Sequence, residues 1–299
     1  MQLNISDVRK FESLEMLAKQ LVEGFITGLH KSPYHGFSVE FAEHKLYNYG
    51  ESTRHIDWKL FSRTDRLYTK QYEEETNLRC RILVDNSSSM HYPMPDKDKI
   101  KFSIYAASAL AYLLTKQRDV VGLSVFSDHI ELETDLRSTK MHLNNVLSSL
   151  SGLATQQPKT KTNISKVLHQ IAEKSHKRSL IVIFTDMFQN ESEDELLSAL
   201  QHLKHNKHEV ILFHVSDYKS EVEFDFEDRP YKFIDLETNE SMKLNPHEIK
   251  EEYKKSMSEF YHDLKIKCGM MKVDFVPVDT NESYDKILGA YLIKRKKMQ

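Results

Sequence analysis

Arg81-Ile82-Leu83-Val84-Asp85-Asn86-Ser87-Ser88-Ser89-Met90 opens as a short apolar run with β-branched residues and closes in an acid followed by hydroxyls. The apolar part has the length and composition of a buried strand. The polar part then falls at a strand's carboxyl end, where open α/β sheets bind their ligands. Asp85, Ser87 and Ser89 offer a carboxylate and two alternate hydroxyls, all oxygen donors of the kind hard cations such as Mg²⁺ take. A plainer reading competes: Asp85 closes a turn while the serines cap the next helix, a routine use of both residue types. The motif is short, so its context has to decide.

Downstream, the pattern alternates. A helix over Lys99–Gln117 with an apolar face rich in alanine precedes a strand over Val120–Phe126. An edge strand near His129–Glu133, a helix over Thr139–Leu150 and a helix carrying Ile164, Val167, Leu168 and Ile171 follow. Ser179–Phe184 is the most apolar strand, and Thr185-Asp186-Met187 comes directly after it. A helix over Glu191–Lys204 and a strand over Glu209–Val215 continue the alternation. The pattern predicts an α/β fold with a doubly wound, mostly parallel sheet, in which two strands end in aspartates, Asp85 and Asp186. Val222–Phe226 and Tyr231–Leu236, around the turn Asp228-Arg229-Pro230, read as a β-hairpin insertion near residues 222–238. Helices over Pro246–Lys265 and Tyr284–Lys294 enclose a last strand, Met271–Val276. The tail Lys294-Arg295-Lys296-Lys297 suits a helix carboxyl terminus.

Upstream, Val8, Phe11, Leu14, Leu17, Leu21 and Phe25 recur at helical spacing within Asp7–His30. Strand-like pieces at Phe37–Phe41 and Leu67–Tyr72 flank a short helix that turns Ile56, Leu60 and Phe61 inward. Trp58 reads there as an aromatic anchor among surface ion pairs. The expected organisation is an extension over residues 1–77 packed on a main domain over residues 78–299.

The totals narrow the classes. A formal net charge of -3 gives no electrostatic case for nucleic acid or an anionic membrane surface. With 8 glycines and 7 prolines among 299 residues, a Gly-rich phosphate loop and long disordered linkers are both disfavoured. The two cysteines, Cys80 and Cys268, suggest neither a disulfide framework nor a zinc cluster. His202, His205 and His208 do not share one helical face and lack a completing ligand. No secretory signal and no membrane-spanning run is visible, so a cytoplasmic protein without membrane insertion is expected.

Asp85-x-Ser87-x-Ser89 resembles the metal-ion-dependent adhesion site (MIDAS) of von Willebrand factor A-type (VWA) domains. Several motifs also stand in order: His30-Lys31-Ser32, Gly36, Glu40-Phe41, Tyr47, Gly50-Glu51, Arg54-His55-Ile56-Asp57-Trp58-Lys59, Arg63, Lys70 and the Asp85 motif. Together they resemble the DUF58 family of bacterial and archaeal proteins, with Gly50-Glu51 where that family usually has Gly-Asp. The resemblance implies a VWA-like, Rossmann-type three-layer fold whose two acidic strand ends are neighbours. It also implies a threonine from an intervening loop, matched by Thr162 with Thr160 as the fallback. The implied ligand set is Asp85, Ser87, Ser89, Thr162 and Asp186 around Mg²⁺, with Mn²⁺ or Ca²⁺ as substitutes. The implied partners are a MoxR-type AAA+ ATPase and a client protein, in chaperone-like assembly or maturation.

The resulting expectation is a non-enzymatic, metal-dependent protein-interaction module. It rests partly on finding no His or Glu in the loops that converge on the acids. The alternative is a metal-dependent phosphohydrolase using Asp85 as nucleophile. That chemistry needs a second acid two residues on, and Ser87 stands there. A serine hydrolase would need Gly-x-Ser-x-Gly, which is absent.

Overall fold

The computed structural model describes residues 14–30, 44–47, 58–70, 78–93, 98–154, 163–186, 193–236 and 240–298. The chain divides into two compact units, Thr27–Asn77 and Met1–Ile26 with Leu78–Gln299. In the smaller unit, β1 (His44–Leu46) pairs antiparallel with β2 (Tyr68–Lys70), and a short helix, α2, spans Trp58–Thr64. Trp58 is 63% exposed and touches Phe61 edge-on, so it is a surface residue rather than the anchor the sequence suggested. The strand expected at Phe37–Phe41 lies outside the described residues, as does most of the Gly50–Lys59 motif.

A helix, α1 (Leu14–His30), has its first thirteen residues, to Ile26, in the larger unit, and these bury Leu17, Ala18 and Val22. The sheet of the larger unit has six strands in the order β10-β7-β6-β3-β4-β5. These are β3 (Arg79–Asp85), β4 (Val120–Phe126), β5 (Ile130–Glu133), β6 (Leu180–Thr185), β7 (Glu209–Ser216) and β10 (Asp274–Asp279). All pair in parallel except the edge strand β5. The chain therefore builds outward from β3 to β5, then returns to the other side of β3 and builds outward again. Where the order reverses, between β3 and β6, successive connections leave in opposite directions and open a crevice at the strands' carboxyl ends.

Helices cover the sheet because β3, β4, β6 and β7 are buried almost throughout. On one face, Leu83, Ile181, Ile183, Val210 and Leu212 pack with three helices in a single apolar cluster. Each of Ile164, Leu168, Leu196, Leu200 and Leu264, which face it, stabilises the fold by about 1.5–3 kcal/mol through burial. Capping residues set the helix starts. Asp98 caps α3 (Lys99–Lys116), Thr139 caps α4 (Lys140–Leu153) and Asn163 caps α5 (Ile164–Lys174). Next come α6 (Glu193–His205) and α7 (Pro246–Met270), the latter with Asn245 as cap and Pro246 in its first turn. The last helix, α8 (Asp285–Met298), is tied down by its basic residues. Lys294 pairs with Glu209 at 2.7 Å and Asp274 at 3.0 Å, and Arg295 binds Asp119. Those three acids lie at the amino ends of β7, β10 and β4, so the end of α8 sits at the edge of the sheet opposite the crevice.

The hairpin departs from expectation. Tyr231–Ile234 (β8) pairs with Ser241–Leu244 (β9), not with Val222–Phe226. The earlier segment spends its backbone locally: a π-helical turn over Tyr218–Val222 is followed by Glu223 N donating to the Tyr218 carbonyl and Asp225 N to that of Lys219. Phe224 then takes a positive φ of 48° and stacks on Phe233. Further on, α7 outlasts the expected Lys265, and Lys272 adopts φ 58° beyond its end, so the last strand starts at Asp274 rather than Met271.

Candidate functional site

The crevice at the strand-order reversal holds the two acids. Asp85 ends β3 and Thr185 ends β6, one step beyond the Val84–Phe184 register pair. Thr185 Oγ1 donates to Asp85 Oδ2 at 2.6 Å, and Asp186 follows directly. The Ser87 backbone N–H donates to Asp85 Oδ1 at 2.9 Å, which closes an Asx turn. That turn leads into a 3₁₀ turn over Ser89–His91 and brings the Ser87 and Ser89 hydroxyl oxygens to 3.0 Å. The serines do not cap α3; Asp98 does, by accepting from Lys101 N. Ser88 Oγ donates instead to the Leu236 carbonyl at 2.9 Å, joining this loop to the chain just after β8 (Tyr231–Ile234). Asp85, Ser87 and Asp186 are buried, while Ser89 is half-exposed and opens the cluster toward solvent. Thr162 and Thr160 lie outside the described residues. Among the described residues, no group of three or more His, Cys, Asp or Glu side chains is arranged to hold a metal, so any ion here depends on the hydroxyls.

Two further charged groups enter that sequence reasoning missed. Lys99 Nζ lies 2.8 Å from Asp186 Oδ2 and also binds Glu221 Oε1. The Tyr92 ring lies 5.9 Å from the same ammonium, within cation–π range. Glu221 Oε2 accepts from Asp217 N at 2.8 Å, so both of its oxygens are engaged. The expectation that no His or Glu reaches the site is corrected here: the 3₁₀ turn of the site loop itself carries His91, whose Nε2 lies 3.2 Å from Asn86 Oδ1, and the π-helical turn, not a loop read as converging, supplies Glu221. A signal for Lys99 exists in the sequence. A lysine in a helix's first turn opposes the helix dipole and needs a local anion. Glu221 carries no such mark.

Burial sets the electrostatics. With no solvent and Asp186 beside it, the Asp85 carboxyl is pushed up to about 7, although Thr185 and Ser87 donate to it. Burial alone would lower Lys99, but Asp186 and Glu221 outweigh it and hold the ammonium above its ordinary value. Close by, burial pushes His214 down to about 4, so its ring is neutral and shares a 3.1 Å hydrogen bond with Tyr261.

A family model described as a protein of unknown function, DUF58, matches residues 43–262, more than half of the chain. The chain belongs to the DUF58 family. This DUF58 protein is 22% identical over 174 residues to uncharacterized proteins of Mycobacterium bovis and Mycobacterium tuberculosis, over 58% of its own length and 55% of theirs. It thus spans about half the length of the curated relatives it matches. An aerotolerance-related membrane protein from Bacteroides fragilis superposes with a TM-score of 0.50 at 15% identity, covering 73% of this chain and 99% of that one. A conserved hypothetical protein, BatB, from Bacteroides thetaiotaomicron gives 0.45 at 16%, covering 74% and 98%. A von Willebrand factor type A structure from Catenulispora acidiphila gives 0.38 at 15%, covering 50% and 34%. The DUF58 protein has an α/β fold, with a six-stranded, mostly parallel sheet packed against helices. No helix among the described residues is long and apolar enough to cross a membrane.

Proposed function

We propose that this DUF58 protein is a non-enzymatic, metal-dependent protein-interaction module, an adaptor that works with a MoxR-type AAA+ ATPase in assembling or maturing client proteins. The observation that carries the reading is the convergence of Asp85, Asp186 and the paired hydroxyls of Ser87 and Ser89 at one crevice. The donor set is all oxygen and suits Mg²⁺. The two serine hydroxyl oxygens stand 3.0 Å apart and share a hydrogen bond, so both are gathered at one point beside Asp85. Asp85, Ser87, Ser89 and Asp186 would hold the ion, with Thr162 as the fifth candidate. When bound, it supplies a fixed positive charge with an open position that a partner's carboxylate can fill.

The chain's own groups favour binding over turnover. Asp85 has each oxygen fixed by a donor, so it is oriented before any ion arrives. Glu221 is committed to Lys99 and Asp217 N, and His214 is neutral and bonded to Tyr261, so neither is placed to move a substrate proton. The partner and client are carried over from family resemblance, a warrant of analogy.

The test is co-purification of the protein with its cognate MoxR-type ATPase in Mg²⁺ and in EDTA. Capture in Mg²⁺ that disappears in EDTA and in Asp85→Ala, with an unchanged circular dichroism spectrum, is expected. Equal capture in EDTA refutes the metal-bridged reading. Metal-dependent hydrolysis of p-nitrophenyl phosphate that vanishes in Asp85→Ala would replace it with a phosphohydrolase.

A further inference from the structure

We propose that Lys99 is a built-in counter-ion that withholds one carboxylate oxygen of Asp186 from the bound cation and so keeps the site weakly and reversibly occupied. The inference rests on the metal reading above and deepens it. Lys99 is 1% exposed and lies in the first turn of α3, held there by the Asp98 cap and by its own N–H to the Tyr92 carbonyl. Its ammonium contacts Asp186 Oδ2 at 2.8 Å, the acid that would otherwise give a divalent ion its second formal charge.

The second contact keeps the lysine in place. Glu221 Oε1 binds the same ammonium, and Glu221 Oε2 is pinned by Asp217 N at 2.8 Å. Asp217 is itself fixed: it accepts from Ser220 Oγ at 2.5 Å and from Asn281 Nδ2 at 3.3 Å. A chain of hydrogen bonds thus runs from the connections after β7 and β10 to the cation position. An arriving ion meets Asp85, whose oxygens accept only from neutral donors, and two neutral hydroxyls, but meets Asp186 with one oxygen already paired to a cation. Such an ion remains less neutralised by the protein. That lowers affinity and leaves more of its charge for an acidic group of the partner.

The experiment measures Mn²⁺ affinity by electron paramagnetic resonance and by calorimetry, for wild type, Lys99→Met and the double variant Lys99→Met/Glu221→Gln. The single variant leaves Glu221 and Asp186 buried without their cation and is the one at risk of misfolding. The double variant keeps the Asp217 hydrogen bond through the glutamine and removes the partner charge together with the lysine, so it decides. Binding at least threefold tighter than wild type in the folded double variant, and at least tenfold tighter in the single variant where it folds, is expected. A wild type that binds Mn²⁺ and a double variant that binds it no tighter overturn the role of Lys99 alone. A wild type and double variant that both fail to bind at millimolar Mn²⁺ overturn the ion reading and this inference with it.

Discussion

Asp85→Asn should make the metal-free protein more stable, not less. Asp85 is fully buried and its carboxyl is pushed from an ordinary 3.8 to about 7, mainly by lost hydration and secondarily by the Asp186 charge. That displacement corresponds to about 4 kcal/mol at most of unfavourable free energy when the group is ionised in the fold. The sign follows from proton binding. The native state holds this proton more tightly than the unfolded chain, so the contribution is fully present below about pH 4. It is lost as pH rises through about 7. Asparagine keeps the shape: its oxygen still accepts from Ser87 N, and its amide N–H can face Thr185 Oγ1. After allowing for that exchange of acceptor for donor, a gain of about 2 kcal/mol is expected at pH 8 in EDTA. In a domain of this size that raises the melting temperature by roughly 4–8 °C. Urea melts at pH 8 and pH 4.5, with EDTA or Mg²⁺, are the assay. The gain should shrink at pH 4.5, and the stabilisation that Mg²⁺ confers on wild type should be missing from the variant. An Asp85→Asn protein less stable than wild type at pH 8 in EDTA, with an unchanged pH profile, would refute the electrostatic account.

His214 is held neutral in the fold near pH 4 and above, while the unfolded chain takes up its proton below about 6.5, so stability should fall as pH drops through that window. The slope is at most about 1.4 kcal/mol per pH unit. His214→Leu combined with Tyr261→Phe, which strands no hydroxyl, should flatten it in urea melts from pH 7 to 4.5. Arg295→Ala should cost about 3 kcal/mol by urea midpoint, because Asp119 at 2% exposure would be left buried without its cation; a loss under about 1 kcal/mol would contradict this. Gly122→Ala should cost about 1–3 kcal/mol by thermal melt, since a Cβ there would meet Leu136 Cδ2 at 3.0 Å and the Asp135 carbonyl oxygen at 3.1 Å.

The sheet was legible because its central strands are short, continuous apolar runs, and a strand buried on both faces can be little else. Val120–Phe126 is observed with the bounds its composition suggested, and Asp85 and Asp186 stand side by side because their strands do. Hairpin pairing was not legible. Val222–Phe226 alternates as a strand should, but Asp217, which accepts from Ser220 N and Oγ, commits the backbone to a tight turn first. Glu221 escaped for the same reason: a side chain delivered by a π-helical turn has no periodic signature. Lys99 sits in the alternating run Asp96-Lys97-Asp98-Lys99, which looks like solvated polar chain. Its place in the first turn of a helix hints at a nearby anion, but the tertiary fold is needed to show that this anion is Asp186 and that the charge is turned inward. The basic run at Lys294–Lys297 likewise reads as surface, yet Lys294 is 6% exposed and braces two strands.

Because Lys294 and Arg295 dock the end of α8 against Glu209, Asp274 and Asp119, a tether fixed to that helix would leave from the far rim of the sheet. A molecule immobilised on a bead or sensor chip by this end would present its acidic crevice outward to the flowing solution. Attachment at Leu236, whose carbonyl accepts from Ser88 Oγ, would instead place the tether beside the loop that carries Ser87 and Ser89.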